Sequence, residues 1–467
     1  MTLTVLSDDQ VNSIFESLSL DELEEFRHVL ASALHEFSTG SQVDGADAFQ
    51  QPHRITTLHP ETKATTLYMP SCGPEGMGCK GPVVSLTTSA AMQDPSVKPI
   101  SPTGVVNLFS PDGELTGVVH ASSLTAFRTA LGSACLVSRR NHVRDITVFG
   151  SGSQAYWHVR LALMMRGSTV RHVYIINHRF SESAGLILKK FSVIPQAVKE
   201  REGWATAKFS ILTPSFHEFA RLQKEYIRAS DVIYCCTPSR QELFDAHILT
   251  NHEGRKKGRL IVAVGSFTPE MRELPEALLH QVTRHHDKHD KPHRHFHKHA
   301  EEGGVIVVDT LEGALQEAGE IIAAQIPATH LVELGELVML HRLRVEESEA
   351  EASASDAASE FERTDTTDSG SASAMSSVYG NQPSRPGSPA SSTSSNHKST
   401  FHLPFRTKSG SSSDGEKKKK EDHMVRWLRD GTVVYKSVGL GLMDLVVGTH
   451  LISVASKKNI GTRIEGF

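Results

Sequence analysis

The sequence predicts an α/β protein: a parallel-sheet domain in the middle of the chain, and a discontinuous α+β domain built from its two ends. Three observations lead there. Short apolar runs alternate with helical stretches from residue 145 to residue 308, the order of a parallel sheet with crossover helices. A turn-punctuated, β-rich stretch occupies residues 54–120, with helical sequence before it. Apolar sequence resumes at residue 423 after a long polar tract, and a folded segment there has to dock on something earlier. Docking on the N-terminal unit makes that domain discontinuous.

The elements follow in chain order. Val11, Ile14, Phe15, Leu18, Leu23, Phe26, Leu30 and Leu34 recur near helical spacing, so residues 8–38 read as helix. Residues 39–52 read as a loop. Thr65–Met69, Val83–Leu86, Val105–Phe109 and Leu115–His120 are strand candidates, the last two joined by a Ser-Pro-Asp-Gly turn at 110–113. Residues 122–140 read as a helix capped by Ser122 and Ser123, with Leu124, Phe127, Ala130, Leu131 and Ala134 on its apolar face. Asp145–Phe149, His172–Ile176, Val232–Cys236, Leu260–Val264 and Val305–Val308 are the buried strands of the parallel sheet. Met424–Tyr435 reads as a strand pair turning at Asp430-Gly431, and Val438–Ala455 as a helix. The domains expected are 1–122, 123–344 with a His-rich insertion at 284–299, a low-complexity insertion at 345–422, and 423–467 completing the first domain.

Composition excludes several classes. The 467 residues carry a net charge of −5, with Lys and Arg scattered apart from Lys417–Lys420, so a basic nucleic-acid binder is not expected. Hydrophobic content is 38 %, and the deficit lies in residues 345–422, which are too polar to offset their chain entropy by burial. Cys72, Cys79, Cys135, Cys235 and Cys236 show no CxxC spacing, which points to a reducing compartment and no structural zinc. The first residues have no basic or apolar leader region, so the expected location is the cytoplasm. The apolar stretch Gly439–Ala455 contains Asp444 and His450 and is short for a membrane span, so it reads as a buried helix. Seven histidines between residues 284 and 299 are irregularly spaced and lack a completing Cys or carboxylate pair. They read as a solvated loop.

The sharpest local signal is Asp145-Ile-Thr-Val-Phe-Gly150-Ser-Gly152-Ser153-Gln154-Ala155, a strand, a glycine turn and a helix start. Gly150 permits the tight turn and Gly152 a close backbone approach to a pyrophosphate. Ala155 lets the helix pack near the strand, and the helix N-terminus offers free N–H groups to phosphate. A Rossmann-type dinucleotide domain is the expectation. NAD sites usually carry a carboxylate at the end of the next strand. Here that place reads Asn177-His178-Arg179-Phe180-Ser181, and Arg179 could pair a 2′-phosphate, so NADP(H) is favoured over NAD(H).

Several motifs agree beyond that loop. Gly78-Cys79-Lys80, Leu124-Thr-Ala-Phe-Arg128-Thr-Ala130, the 148–155 loop, Cys236-Thr237-Pro-Ser239, the segment from Ala263 to Leu274, Val307-Val-Asp309 with Glu312-Gly-Ala, and Val434-Tyr-Lys-Ser-Val-Gly439 with Asp444 stand in one order from about residue 54 to the end. On these the chain resembles the ornithine cyclodeaminase/mu-crystallin family; neither insertion has a counterpart there. The resemblance implies a Rossmann domain beside a domain that binds substrate and forms a homodimer. It further implies that Arg54, Lys80 and Arg128 face the substrate, and that Thr237, Ser239, Val264 and Gly265 lie near the nicotinamide, with Val438 and Gly439 close by.

The chemistry of the residues fits. The carboxylate of a small imino or amino acid needs neutralising, and the planar fork of Arg binds one bidentately. Arg128 stands on a helix otherwise apolar and small, where an Arg needs a reason. Lys80, if desolvated beside other cations, could have a lowered pKa and relay a proton as well as bind. The expected function is NAD(P)-dependent hydride transfer to or from the α-carbon of a small imino or amino acid, as a ketimine reductase or amino-acid dehydrogenase. Two alternatives stand: a non-catalytic NADPH- and ligand-binding protein, and ornithine cyclodeamination. The resemblance argues against the second, because the cyclising members place an Asp two residues after the glycine matching Gly265, and this chain has Phe267. Ser266 and Thr268 read as turn caps, and Asp309 equally as a helix cap or a ligand contact.

Overall fold

A computed structural model describes residues 2–40, 48–61, 65–85, 103–284, 305–338 and 424–467. The histidine run from 285 on and the polar tract 345–422, with Lys417–Lys420, lie outside the described residues, as does Leu86.

The parallel sheet forms from the short apolar runs. In chain order its strands are β7 (Asp145–Phe149), β8 (His172–Ile176), β9 (Lys208–Leu212), β10 (Val232–Cys235), β11 (Leu260–Ala263), β12 (Ile306–Val308), β13 (Leu331–Glu333) and β14 (Val433–Lys436). Their order across the sheet is β13-β12-β14-β11-β10-β7-β8-β9, all parallel. The runs have no polar alternation because both faces are covered; β10, β11, β12 and β14 are buried at every position.

Here the C-terminal segment departs from expectation. Part of it does not complete the first domain: β14 inserts between β11 and β12 in the parallel sheet. Residues 424–430 are helical rather than the first strand of a pair. Trp427 and Leu428 are buried together, and Gly431 ends the turn with its N–H on the Trp427 carbonyl (2.7 Å). Four consecutive buried residues, Val433 to Lys436, then suit a central parallel strand and not an exposed hairpin.

The second sheet holds β1 (Thr2–Leu6), β2 (Ile55–Leu58), β3 (Thr65–Gly73), β4 (Gly76–Ser85), β5 (Val105–Phe109), β6 (Leu115–His120) and β15 (Thr462–Glu465). Its order is β15-β1-β6-β5-β4-β3-β2, antiparallel except where β1 runs beside β6. The edge pair β1 and β15 was not foreseen; it joins the two ends of the chain. The helix Gly441–Lys457 packs on β3, β4 and β5, so this part of the C-terminal segment does lie on the N-terminal unit.

The 8–38 stretch is two helices, Asp8–Glu16 and Leu20–Thr39. Each has its own capping box: Ser7 with Gln10, and Ser19 with Glu22. The second box breaks what the periodicity alone reads as one helix. The linking helix is Ala121–Val137, and its cap is His120, not Ser122 or Ser123. His120 accepts from the Ser122 N–H and also contacts Asp8, which takes the Ser123 N–H (2.8 Å).

One aromatic knot fixes the linking helix in place. Phe127 stacks on Phe15 with centroids 3.8 Å apart and meets Phe26 and Trp157 edge-on. Those rings come from the two N-terminal helices and from the helix Ser153–Arg166 that follows the dinucleotide loop. Arg128, the next residue, is thereby held in the interior, against the helix Gly441–Lys457.

Candidate functional site

The dinucleotide loop closes on its glycines. Gly150 has φ +103°, a conformation that side chains disfavour. A Cβ there would stand 2.9 Å from the Cys236 carbonyl oxygen. Its N–H donates to the Ile176 carbonyl at 2.9 Å, tying the turn to β8. Gly152 is extended and begins the helix, with no side chain capping it and nothing within 4 Å of a Cβ built there. The first-turn N–H groups of Ser153 and Gln154 therefore face outward for an anion. Ala155 is fully buried against the sheet. Gln154 reaches toward the Thr125 carbonyl (3.5 Å), and its buried Oε1 lacks a partner among the described residues. This backbone cradle and its open face fit a pyrophosphate.

At the end of β8, Asn177 is buried and donates to the Ser151 (3.1 Å) and Ser181 (3.4 Å) hydroxyls. Its own Oδ1 accepts the His178 N–H at 3.0 Å. Asn177 is thus a brace between two loops. Arg179 is exposed, with no side-chain partner among the described residues.

The loops after β10 and β11 interlock. A Cβ on Gly265 would fall 2.2–2.5 Å from the Thr237 backbone, so only glycine permits this approach. Glu273, which the sequence reading passed over, pins both loops. One of its oxygens accepts from the Thr237 N–H (2.7 Å) and hydroxyl (3.2 Å), the other from the Gly265 (2.7 Å) and Ser266 (3.1 Å) N–H groups. Burial pushes the Glu273 carboxyl up to about 7; Lys436 pulls it down and Glu320 adds to the rise. Glu320 and Lys436 complete the network. Lys436 donates to the Ser266 carbonyl and hydroxyl and pairs with Glu320 at 3.3 Å. Ser266 is consumed here, donating to Glu320, and is not merely a turn cap. Ser239 is used in its own turn, bonded to Gln241 in both directions. Val264 is half-buried, its N–H on the Cys235 carbonyl. Phe267 is half-buried in the same loop.

Three cations gather where β14 ends. Lys80 on β4 is 4 % exposed and Arg128 3 %, and both reach one carboxylate, Asp444 of the helix Gly441–Lys457. Lys80 Nζ lies 3.2 Å from both Asp444 oxygens; Arg128 donates at 3.1 and 3.3 Å. Burial pushes the Lys80 ammonium down to about 8; Asp444 pulls it up, and Arg128 and Arg54 press it further down. Two cations against one carboxylate leave a unit of positive charge uncompensated. Arg54 stands off, paired with Glu317 and donating to the Val438 carbonyl at 3.1 Å. On the Arg54 side a cleft of about 50 Å³ is lined by residues including Arg54, Met69, Glu317, Val438 and Gly439; Lys80, Arg128 and Asp444 do not line it.

Contacts connect the cations to the loop. Gly150 abuts Thr237, and Thr237 abuts Gly265. Lys436, at the end of β14, bonds Ser266. Three residues on, Gly439 has φ +86°, and a Cβ there would stand 2.9 Å from an Arg128 nitrogen. Asp309 holds this turn, taking the Ser437 hydroxyl (2.9 Å) and the Val438 (3.0 Å) and Gly439 (2.6 Å) N–H groups. It is a loop clamp and not a free ligand contact. Among the described residues no His, Cys, Asp and Glu group could hold a metal, and no helix is long and apolar enough to cross a membrane.

No family model matches the chain. An uncharacterised protein of Saccharomyces cerevisiae is 24 % identical over 359 residues, 72 % of this chain and 86 % of that protein. An uncharacterised cyclodeaminase of Dictyostelium discoideum is 29 % identical over 167 residues, 35 % of this chain and 44 % of that protein. Among solved structures, the Δ1-pyrroline-2-carboxylate reductase of Thermococcus litoralis, in complex with NADH and L-proline, aligns with a TM-score of 0.59 at 16 % identity, covering 99 % of this chain and 100 % of that one. An archaeal alanine dehydrogenase dimer with bound NAD aligns at 0.56 and 17 %, covering 100 % of both. A probable ornithine cyclodeaminase of Bordetella pertussis aligns at 0.56 and 15 %, covering 98 % of this chain and 99 % of that one. The chain therefore has the two-domain, Rossmann-type fold of these proteins. The resemblance drawn from the motifs to the ornithine cyclodeaminase family is met by the fold.

Proposed function

We propose that the chain is an NAD(P)-dependent oxidoreductase that moves a hydride to or from the α-carbon of a small imino or amino acid. One observation carries the reading. Lys80 and Arg128, both buried, converge beside a turn that is joined through Gly265 and Thr237 to the dinucleotide loop, and they hold more positive charge than Asp444 cancels. Such a place favours a carboxylate. The cofactor, when bound, supplies or takes the hydride. Arg128 orients the substrate carboxylate, Lys80 adds its charge, and Arg54, whose charge also bears on Lys80, stands at the neighbouring cleft. The cleft beside Arg54 holds only a few atoms and stops short of Lys80 and Arg128, so substrate reaches them from this side only when the Arg54–Glu317 pair parts. Lys80, with its pKa near neutrality, can donate a proton to the substrate nitrogen.

NADP(H) is the favoured cofactor, because Arg179 has no partner among the described residues and the sequence after β8 carries no carboxylate before Glu182. A homodimer is the proposed assembly, by analogy with the dimeric alanine dehydrogenase. Ornithine cyclodeamination is disfavoured. Phe267 cannot move a proton, and the buried carboxylates of the neighbouring network, Glu273 and Glu320, are bonded to backbone N–H groups, Ser266 and Lys436.

The test is a panel of cyclic ketimine carboxylates and amino acids with NADPH and NADH. Nicotinamide turnover that Arg128→Gln suppresses through KM is expected. Absence of turnover with every compound, or proline formed from ornithine, would overturn the reading.

A further inference from the structure

A cavity lies at the opposite end of the parallel sheet from the dinucleotide loop. It opens where the chain enters β7, β10, β11 and β14, whereas Gly150, Thr237 and Gly265 stand at the exits of β7, β10 and β11. Its volume is about 430 Å³, within the range of small-ligand sites. Five permanent cations line it: Arg140, Lys256, Lys257, Arg426 and Arg429. Two carboxylates oppose them, Asp231 and Asp430.

The cations are held in different ways. Arg140 is 4 % exposed and donates only to main-chain carbonyls, Leu428 (3.2 Å) and Gly431 (2.8 Å), while its Nε has no partner among the described residues. Carbonyls orient a guanidinium without cancelling its charge. Lys257 pairs with Asp231 at 2.7 Å, and Arg429 with Asp430 at 2.8 Å. The other Asp231 oxygen is taken by the Arg144 and Asp145 N–H groups. Lys256 reaches Glu253, outside the cavity. Arg426 has no side-chain partner among the described residues. Once the internal pairs are made, Arg140, which feels the Asp231 and Asp430 charges but bonds neither, and Arg426 have no ion-pair partner among the described residues. None of these residues takes part in the dinucleotide or carboxylate chemistry described above.

We propose that this cavity is a second anion site, which binds a small polyanion carrying two phosphate groups. Helix C-termini at this end of the sheet account for some basic residues, since cations there offset the dipole. They do not account for a buried, carbonyl-anchored Arg140 beside an unpaired Arg426, around a cavity of ligand size. A carbonyl-fixed cation has lost its freedom already, so little ordering cost remains when an anion arrives.

The probe is inorganic pyrophosphate, titrated calorimetrically into the full chain at about 0.15 M ionic strength, where charges beyond about 8 Å are screened. Ser153→Glu places a carboxylate at the dinucleotide loop and removes pyrophosphate binding there. In that background, saturable one-site binding at about 1 mM or tighter is expected. Adding Arg426→Ala and Lys256→Ala, both at exposed positions, should weaken it by about tenfold or more without lowering the melting temperature. No saturable heat in the Ser153→Glu protein overturns the proposal. So does binding that survives loss of Arg426 and Lys256.

Discussion

Asp444→Asn is the perturbation that most directly probes the cation cluster. It keeps the shape of the side chain and removes the charge shared by Lys80 and Arg128. A unit charge at the 3.2 Å Lys80 distance is worth about 5 kcal/mol at an effective dielectric constant of about 20. Even a third of that carries Lys80 from about 8 to below about 7. Removing one member of a buried pair costs about 3–5 kcal/mol where the other stays charged. Lys80 can relieve part of this by losing its proton, and that relief depends on pH.

The sign follows from linkage. Lys80 in the unfolded chain holds its proton to about 10.5, so a lowered native pKa means that stability rises with pH above the native value. In the wild-type protein the rise begins near 8. In Asp444→Asn it begins lower, so between about pH 7 and 8 the variant gains stability relative to wild type at up to about 1.4 kcal/mol per pH unit, the Glu273 titration being common to both. Trp157, Trp204 and Trp427 are buried, which makes fluorescence in urea a suitable readout. The expected result is a deficit that narrows from pH 7 to pH 8. Combining Asp444→Asn with Lys80→Met should abolish the narrowing. A deficit independent of pH, or none at all, would refute the argument that Asp444 holds the Lys80 charge.

Further outcomes follow from the same geometry. Substrate affinity should weaken as pH rises through about 8, because Lys80 then loses its charge, and Lys80→Arg should move that break upward; KM against pH measures both. Glu273→Gln turns an amide toward the N–H groups of Thr237, Gly265 and Ser266, leaving donors unmatched at about 1–3 kcal/mol. Hydrogen exchange at Thr237 and Gly265 should quicken, and unchanged rates would show that the carboxylate does not pin the loops. Arg179→Ala should lower affinity for NADPH more than for NADH, read by protein–nicotinamide energy transfer. An equal loss for both would remove Arg179 from cofactor choice.

The sequence disclosed what depends on near neighbours. The turn at Gly150 was legible because strand, glycines and helix start fall within eleven residues, and the strands of the parallel sheet because each is a short unbroken apolar run. What escaped depends on distance along the chain. Val433–Lys436 is apolar enough for a central strand, yet its partners Leu260–Ala263 and Ile306–Val308 are more than a hundred residues away, and Asp430-Gly431 suggested a hairpin. Glu273 looks like any surface acid until the loops after β10 and β11 fold over it. The break at Ser17-Leu18-Ser19 was readable, since Ser19 followed by Glu22 is a capping box; apolar periodicity across it concealed the signal.

Arg128 shows what such a reading can extract from one residue. The linking helix is buried on nearly every side, so it lacks the polar face on which an arginine normally stands. The helix Gly441–Lys457 is likewise buried over most of its first half, and Asp444 is its acid there. Neither charge can reach water, and an isolated buried charge costs several kcal/mol. Two apolar helices carrying opposite charges therefore have to meet, which is a long-range contact inferable without any alignment. In the sequence Arg128 stands out on its apolar helix, whereas Asp444 stands out only as part of a motif. Joining the two would have placed the helix of the C-terminal segment against the linking helix, and with it the turn at Gly439. The third charge, Lys80, decides what the cluster is for: a structural pair needs one cation, and the second leaves the positive charge that a substrate carboxylate can fill.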